Sequence, residues 1–80
     1  MRFRVLLFAG LRDRVGAEVL ECELSEAEAS VAGLRLALER QRPELAGQVY
    51  RVAVDAAYAV DGDRLPPGAE LALIPPVSGG

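Results

Sequence analysis

The sequence predicts an α+β fold in which one main helix packs across one face of a mixed sheet of four to five strands. Short segments near both ends of the chain alternate between apolar and polar residues, as half-buried strands do. Between them, residues 31–41 carry apolar side chains at the helical period. The resulting order is strand, strand, helix, strand, strand, strand. The simplest compact arrangement places the first and last strands side by side in the middle of the sheet.

The first two strands are predicted to form a hairpin. In the first strand one face carries Phe3, Val5 and Leu7, and the other carries Arg2, Arg4, Leu6 and Phe8. The second strand spans residues 19–24, and its apolar face carries Leu20, Cys22 and Leu24. Residues 11–15, bracketed by Gly10 and Gly16, are interpreted as a short connection. On an apolar face the Cys22 thiol is a small hydrophobe with a raised pKa, which argues against a nucleophilic role.

The helix is predicted from residue 31 to about residue 41. Ser30 can cap its N-terminus by accepting a hydrogen bond from an early backbone N–H. Pro43 cannot continue the hydrogen-bond ladder, so the helix ends near residue 42. Leu36 points away from the apolar stripe and is expected to be exposed. The stripe itself carries Val31, Leu34 and Leu38.

Three short strands are predicted after the helix. Leu45 and Val49 are expected to fill the edge of the core, before a third strand at residues 51–55 that turns Val52 and Val54 inward. The fourth strand is expected at residues 58–60 and the last at residues 70–74, each bounded by turn residues.

An apolar patch is predicted on the sheet face that the helix does not cover. If Phe3, Val5, Leu7, Leu71 and Leu73 face the helix, the opposite face gathers Leu6, Phe8, Ala72 and Ile74. One interpretation is loose surface, because scattered exposed apolar residues are normal. Clustering beside Pro75 and Pro76 favours a docking surface for a partner protein.

The last residues form a slender, side-chain-poor tail. We interpret residues 1–76 as the domain and residues 77–80 as an extended tail that ends in the Gly80 carboxylate. Four extended residues reach roughly 13 Å, and two glycines allow entry into a pocket too narrow for a Cβ. Such a tail suits delivery of a C-terminal acyl group. The alternative is an ordinary frayed end or a cloning remnant.

Composition excludes several classes of function. The net charge of −3 and the absence of aromatic clustering argue against nucleic-acid binding. No apolar run is long enough for a membrane span, and nothing at the start is typical of a secretion signal, so we expect a cytoplasmic protein. The chain has no histidine and one cysteine, which argues against a metal site and self-contained catalysis. All nine basic residues are arginine.

Several segments resemble the small subunit of molybdopterin synthase, one of the ubiquitin-like sulfur carriers. They are the opening Val5-Leu6-Leu7-Phe8-Ala9 with Leu11-Arg12, the segment Val52-Ala53-Val54-Asp55, and the ending Ile74-Pro75-Pro76-Val77-Ser78-Gly79-Gly80. The resemblance covers nearly the whole chain. The sequence departs from the family at Asp55, where asparagine is usual, and in the approach to the last strand at residues 63–70.

The resemblance implies a β-grasp fold and a role in molybdenum cofactor biosynthesis. A ubiquitin-activating-like adenylyltransferase would use ATP and magnesium to adenylate the Gly80 carboxylate, and a sulfur donor would convert the adenylate into a thiocarboxylate. The tail would then enter the large subunit of a heterotetrameric synthase, where the sulfur passes to a cyclic pterin monophosphate. The chain itself would bind no cofactor.

The resemblance also assigns roles to residues. Gly80 would carry the sulfur. Gly79, which has no Cβ, would let the tail pass through a narrow pocket. The exit of the tail would be guided by Ser78, Val77, Pro76 and Pro75. The interface core would consist of Phe8, Leu6, Ala72 and Ile74. Arg12 would be a polar anchor, or else a solvated loop arginine.

Two other classes of function remain open from the sequence. A carrier of the same fold could serve thiamine synthesis or tRNA thiolation with the same terminal chemistry. A protein modifier would instead form isopeptide bonds with lysines, and a plain interaction module would have an inert tail.

Overall fold

The computed structural model describes residues 1–76, so the predictions for Val77, Ser78, Gly79 and Gly80 lie outside the described residues. The elements in chain order are β1 (Arg2–Leu7), α1 (Ala9–Val15), β2 (Val19–Glu23), α2 (Val31–Gln41), a 3₁₀ turn (Pro43–Leu45), β3 (Arg51–Val54), β4 (Ala57–Ala59) and β5 (Leu71–Ile74). Within residues 1–76, neither helix has the length and apolar character that a membrane crossing requires.

The five strands form one mixed sheet in the order β2-β1-β5-β3-β4. The two central strands, β1 and β5, run parallel, with Leu6 opposite Ala72. All other neighbours are antiparallel. The predicted α+β architecture is confirmed, including the β1–β2 hairpin and the first and last strands side by side. The arrangement is a β-grasp, in which the sheet holds α2 against one face.

The core lies between α2 and the sheet. The helix buries Val31, Leu34 and Leu38 completely or almost completely, as its period predicts, whereas Leu36 remains 58% exposed. Ser30 caps the helix, because its Oγ accepts a hydrogen bond from the Gly33 N–H over 3.1 Å. From the sheet, the most deeply buried side chains are Phe3, Val5, Val52, Leu71 and Leu73.

The connection between β1 and β2 contains a second helix, so the prediction of a short loop there is wrong. Helix α1 buries Leu11 and Val15, which lie four residues apart on one helical face. Gly16 ends the helix in the left-handed conformation at φ 78°, and its N–H donates to the Arg12 carbonyl over 2.8 Å. The helix has only two turns, and two glycines and three charged residues in and beside it are typical of a loop, so the sequence pattern does not indicate a helix.

Two other predictions need correction. Val49 does not fill the core, since it is 74% exposed, and Tyr50 is buried in its place. Tyr50 lies two residues before Val52 and therefore shares its inward direction, which turns Val49 outward. The fourth strand begins at Ala57, one residue earlier than predicted, because the turn after β3 takes only Asp55 and Ala56.

Candidate partner-binding face and tail exit

The sheet face opposite α2 carries a shallow apolar groove of about 410 Å³. We call this surface the open face. It is lined by Leu6, Phe8, Ala53, Ala56, Tyr58, Glu70, Ala72 and Ile74. All four interface residues predicted from strand alternation belong to this set, so the structure brings them together as expected.

Cross-strand register explains the shape of the groove. One row across the sheet consists of Leu6 beside Ala72, Ala72 beside Ala53, and Ala53 beside Tyr58. The two alanines occupy the central positions of that row, and their short side chains leave the floor low. Leu6 on one side and Tyr58 on the other provide the taller walls. The groove therefore arises from small residues on the central strands.

Half of the groove lining was not predicted from the sequence. Ala53 could have been placed there, because it alternates with the inward-facing Val52. Tyr58 required the register of the β3–β4 hairpin, in which it pairs with Ala53. Ala56 lies in the β3–β4 turn, where alternation gives no direction. Glu70 lies two residues before Ala72 in the predicted last strand, so alternation could have placed it on this face as well.

Phe8 stands at the junction between β1 and α1. Its side chain is 44% exposed, and its carbonyl accepts hydrogen bonds from the N–H groups of Leu11 and Arg12 over 3.2 and 3.5 Å. These bonds hold the start of α1 against the end of β1. A half-exposed phenylalanine on a fixed backbone is a suitable hydrophobic anchor for a partner.

Helix α1 places Arg12 beside the open face. A second hollow of about 220 Å³ is lined by Leu6, Leu7, Phe8, Arg12, Glu18 and Val19. Arg12 is exposed and forms no ion pair within the described part of the chain. Its position is compatible with the predicted polar anchor, and its role stays a prediction.

The turn from β3 to β4 has an unusual backbone. Asp55 and Ala56 adopt φ values of 49° and 69°, as the two central residues of a type I′ hairpin turn do. Aspartate tolerates this conformation, as asparagine does, so the departure from the family at Asp55 is compatible with the same turn. Ala56 pays a steric cost there that glycine would not.

The chain leaves the sheet next to Phe8. Strand β5 ends at Ile74, which lines the groove, and it is followed by the half-buried Pro75 and the exposed Pro76. Neither proline has an N–H to continue the ladder, so pairing stops there. The beginning of the predicted tail path and the open face are therefore adjacent.

Cys22 is separate from this site. Its thiol is buried on the core face of β2, and burial, together with the nearby carboxylates of Glu23 and Glu28, raises its pKa. The prediction that Cys22 is a structural hydrophobe is confirmed. Within residues 1–76, the structure shows no cluster of three or more metal-binding side chains.

Residues 5–80 match the model of the ThiS family. The chain belongs to the ThiS family. Its fold is shared by SAMP1 from Haloferax volcanii, which is 28% identical with a TM-score of 0.88 over 100% of both chains. Comparison with curated proteins gives no significant sequence match.

Two further solved structures with the same fold are of molybdopterin converting factor subunits. A Pyrococcus furiosus protein, provisionally described as subunit 1 of molybdopterin converting factor, is 24% identical with a TM-score of 0.86 and covers 96% of this chain and 99% of its own. A complex of subunits 1 and 2 of molybdopterin-converting factor from Helicobacter pylori gives 22% identity and a TM-score of 0.70 over 100% of both chains. At these identities the likeness establishes the ubiquitin-like fold.

Proposed function

We propose that this ThiS-family chain is the sulfur-carrying subunit of a molybdopterin synthase. The observation that carries the proposal is the adjacency of the open face and the tail exit: Ile74 lines the groove and leads directly into residues 75–80. A partner that covers the groove would receive the tail at the same time. The Helicobacter pylori structure, a complex of two subunits, supports a partner of this kind.

The proposed chemistry takes place at the Gly80 carboxylate. A carboxylate is a poor electrophile, so an adenylyltransferase would first join it to AMP, using ATP and magnesium and releasing pyrophosphate. A sulfur donor then attacks the acyl carbon and displaces AMP, which leaves a thiocarboxylate. Gly79 would give clearance in the active site of each partner, and Pro75, Pro76, Val77 and Ser78 would guide the tail there.

The large subunit would supply the rest of the reaction. In this proposal it holds the cyclic pterin monophosphate and the acid and base groups, and the chain described here acts as a reagent in the cytoplasm. Phe8, Leu6, Ala72 and Ile74 would form the core of the contact, with Arg12 at its edge. Phenylalanine and arginine are enriched at interfaces, and the core of such a contact is apolar and poor in charged residues.

A reconstituted reaction tests the proposal. The chain is incubated with the adenylyltransferase of its own organism, ATP, magnesium and a sulfur donor, and then with the large subunit and cyclic pterin monophosphate. We expect a thiocarboxylate on the wild-type chain, followed by molybdopterin. Gly80→Ala should impair both steps, whereas Gly47→Ala, at a position with open space around it, should not. Normal thiocarboxylate formation by Gly80→Ala would count against the mechanism.

A second candidate function is protein modification. It is favoured by the similarity to SAMP1, a name that stands for small archaeal modifier protein 1. A modifier would join its Gly80 carbonyl to lysine amines of other proteins instead of passing sulfur to a small molecule. Carriers for thiamine synthesis or tRNA thiolation share the first step and differ in the acceptor, so the reconstituted reaction separates them at its second step.

A further inference from the structure

Arg51 lies on the open face at the end where the chain exits. It is the first residue of β3, it pairs with Ile74 of β5, and it lies two residues before Ala53, whose side chain forms the floor of the groove. Strand alternation therefore directs the Arg51 side chain to the open face. The guanidinium carbon lies 4.0 Å from the centroid of the Tyr58 ring.

Tyr58 holds this guanidinium in place without occupying its hydrogen-bond donors. A cation over the face of an aromatic ring is attracted by the ring quadrupole, and the planar guanidinium keeps its N–H groups at its edge. Within residues 1–76, Arg51 makes no side-chain hydrogen bond and no ion pair. The result is a positioned, exposed cation whose N–H groups point to no protein acceptor in the described chain.

Charge differs between the two ends of the groove. The exit end has Arg51, with Arg12 nearby on α1 beside Glu18. The opposite end has the carboxylates of Glu70 and of Asp55 in the β3–β4 turn. Arg4 also lies towards this end, but it faces Glu21 on the neighbouring strand β2. A partner surface complementary to this groove would carry an acidic group near the exit.

We propose that Arg51 is a specificity residue that binds a carboxylate of the partner protein beside the entry of the tail. Two parallel N–H···O hydrogen bonds from the guanidinium fork fit an aspartate or glutamate side chain, and they fix direction as well as position. The contact orients the partner so that its pocket lies over the residues that follow Ile74. This inference rests on the proposed function, because it requires a partner on the open face.

The first test reverses the charge. Binding of Arg51→Glu and Arg51→Gln to the large subunit of the same organism is compared with that of Arg40→Glu, an exposed arginine on α2 away from the open face. Reversal should raise Kd by about tenfold or more, and neutralisation should raise it less and weaken its dependence on salt. Arg40→Glu should remain near the wild-type Kd. Thermal unfolding of each variant establishes that it is folded.

The second test separates positioning from shape. Tyr58→Phe keeps the ring face that holds the guanidinium and should raise Kd less than Tyr58→Leu, which removes the ring. In an Arg51→Gln background the Tyr58→Leu change should have a smaller effect, because Tyr58 acts partly through Arg51. Equal effects in both backgrounds would overturn the positioning role of Tyr58.

The outcomes distinguish this inference from the function on which it rests. If the wild-type chain binds the large subunit and Arg51→Glu binds it with the same Kd, the Arg51 assignment is overturned. The proposed function is then left intact. If the wild-type chain binds neither the large subunit nor the adenylyltransferase, the proposed function fails and the Arg51 assignment fails with it.

Discussion

Asp55 and Glu70 exchange two hydrogen bonds that join the β3–β4 turn to the start of β5. The Asp55 N–H donates to the Glu70 carbonyl over 2.8 Å, and the Glu70 N–H donates to Asp55 Oδ1 over 2.9 Å. The carboxylate thus extends the β3–β5 ladder beyond its last paired residues, Val54 and Leu71. Because Ala56 and Glu70 line the groove, these bonds also shape its end farthest from the tail exit.

Replacement of Asp55 tests this connection. Asp55→Ala removes the acceptor and places alanine at a positive φ, so we expect a loss of about 1–2 kcal/mol in the free energy of unfolding. Asp55→Asn keeps Oδ1 and tolerates the turn, and its effect should be below about 0.5 kcal/mol. Urea unfolding measures both. Equal stability of the alanine and asparagine variants would contradict the role given to the side chain.

Two glycine-to-alanine changes should have opposite effects on the free energy of unfolding. A Cβ on Gly33 would clash with the Glu28 carbonyl oxygen, which already accepts a hydrogen bond from the Ser30 N–H. Gly33→Ala should therefore destabilise the fold by about 1–3 kcal/mol. Gly10, in α1, has open space at the Cβ position, and Gly10→Ala should stabilise the fold by about 0.5–1 kcal/mol. Thermal and urea unfolding provide the comparison, and a stabilised Gly33→Ala would show that the helix start can move.

A charge on the open face should weaken partner binding strongly without unfolding the domain. Phe8→Glu replaces a half-exposed anchor, and we expect Kd for the large subunit to rise about thirtyfold or more, as at an interface hot spot. Leu36→Glu is the matched control, since Leu36 is an exposed apolar residue on the far side of α2. Binding that is equally weak for both variants, or unchanged for Phe8→Glu, would exclude the open face as the interface.

Tyr50 should make the stability of the fold sensitive to alkaline pH. Burial, together with the hydrogen bond that its hydroxyl donates to Glu39 over 2.9 Å, raises the pKa of Tyr50 from 10.0 to about 12. The fold therefore favours the neutral phenol. The stability that the fold gains from keeping Tyr50 neutral is fully present below pH 10. It is lost as the pH rises towards about 12.

Unfolding measured across that pH range checks the effect. The free energy of unfolding of the wild type should fall between pH 10 and about 12, and Tyr50→Phe should lack that part of the fall. Tyrosinate absorbance identifies the group that ionises. A Tyr50→Phe variant with the same pH dependence as the wild type would assign the fall to other groups.

The sequence is sufficient for features that depend on local period. The helix at residues 31–41 follows from the spacing of its apolar residues, its Ser30 cap and Pro43, and the structure confirms its limits. Alternation in β1 and β5 places Leu6 and Ala72 on the uncovered face, where the structure finds them. Each of these inferences concerns residues a few positions apart in the chain.

Features that depend on contacts between residues far apart in the chain could not be predicted from the sequence. The Tyr58 wall requires the β3–β4 register, and the Asp55–Glu70 bonds join residues fifteen positions apart. Helix α1 was missed because Leu11 and Val15 give a single i, i+4 pair, which is too little to establish a period. The Arg51–Tyr58 contact likewise appears only when two strands are placed side by side.

The most direct test of the central claim is the mass of the C-terminal peptide of the chain purified from its own cells. If the chain is a sulfur carrier, a fraction should show sulfur in place of one oxygen at Gly80, and that fraction should disappear when the adenylyltransferase gene is deleted. An unmodified peptide in every preparation, or Gly80 joined to lysines of other proteins with no thiocarboxylate, would contradict the account.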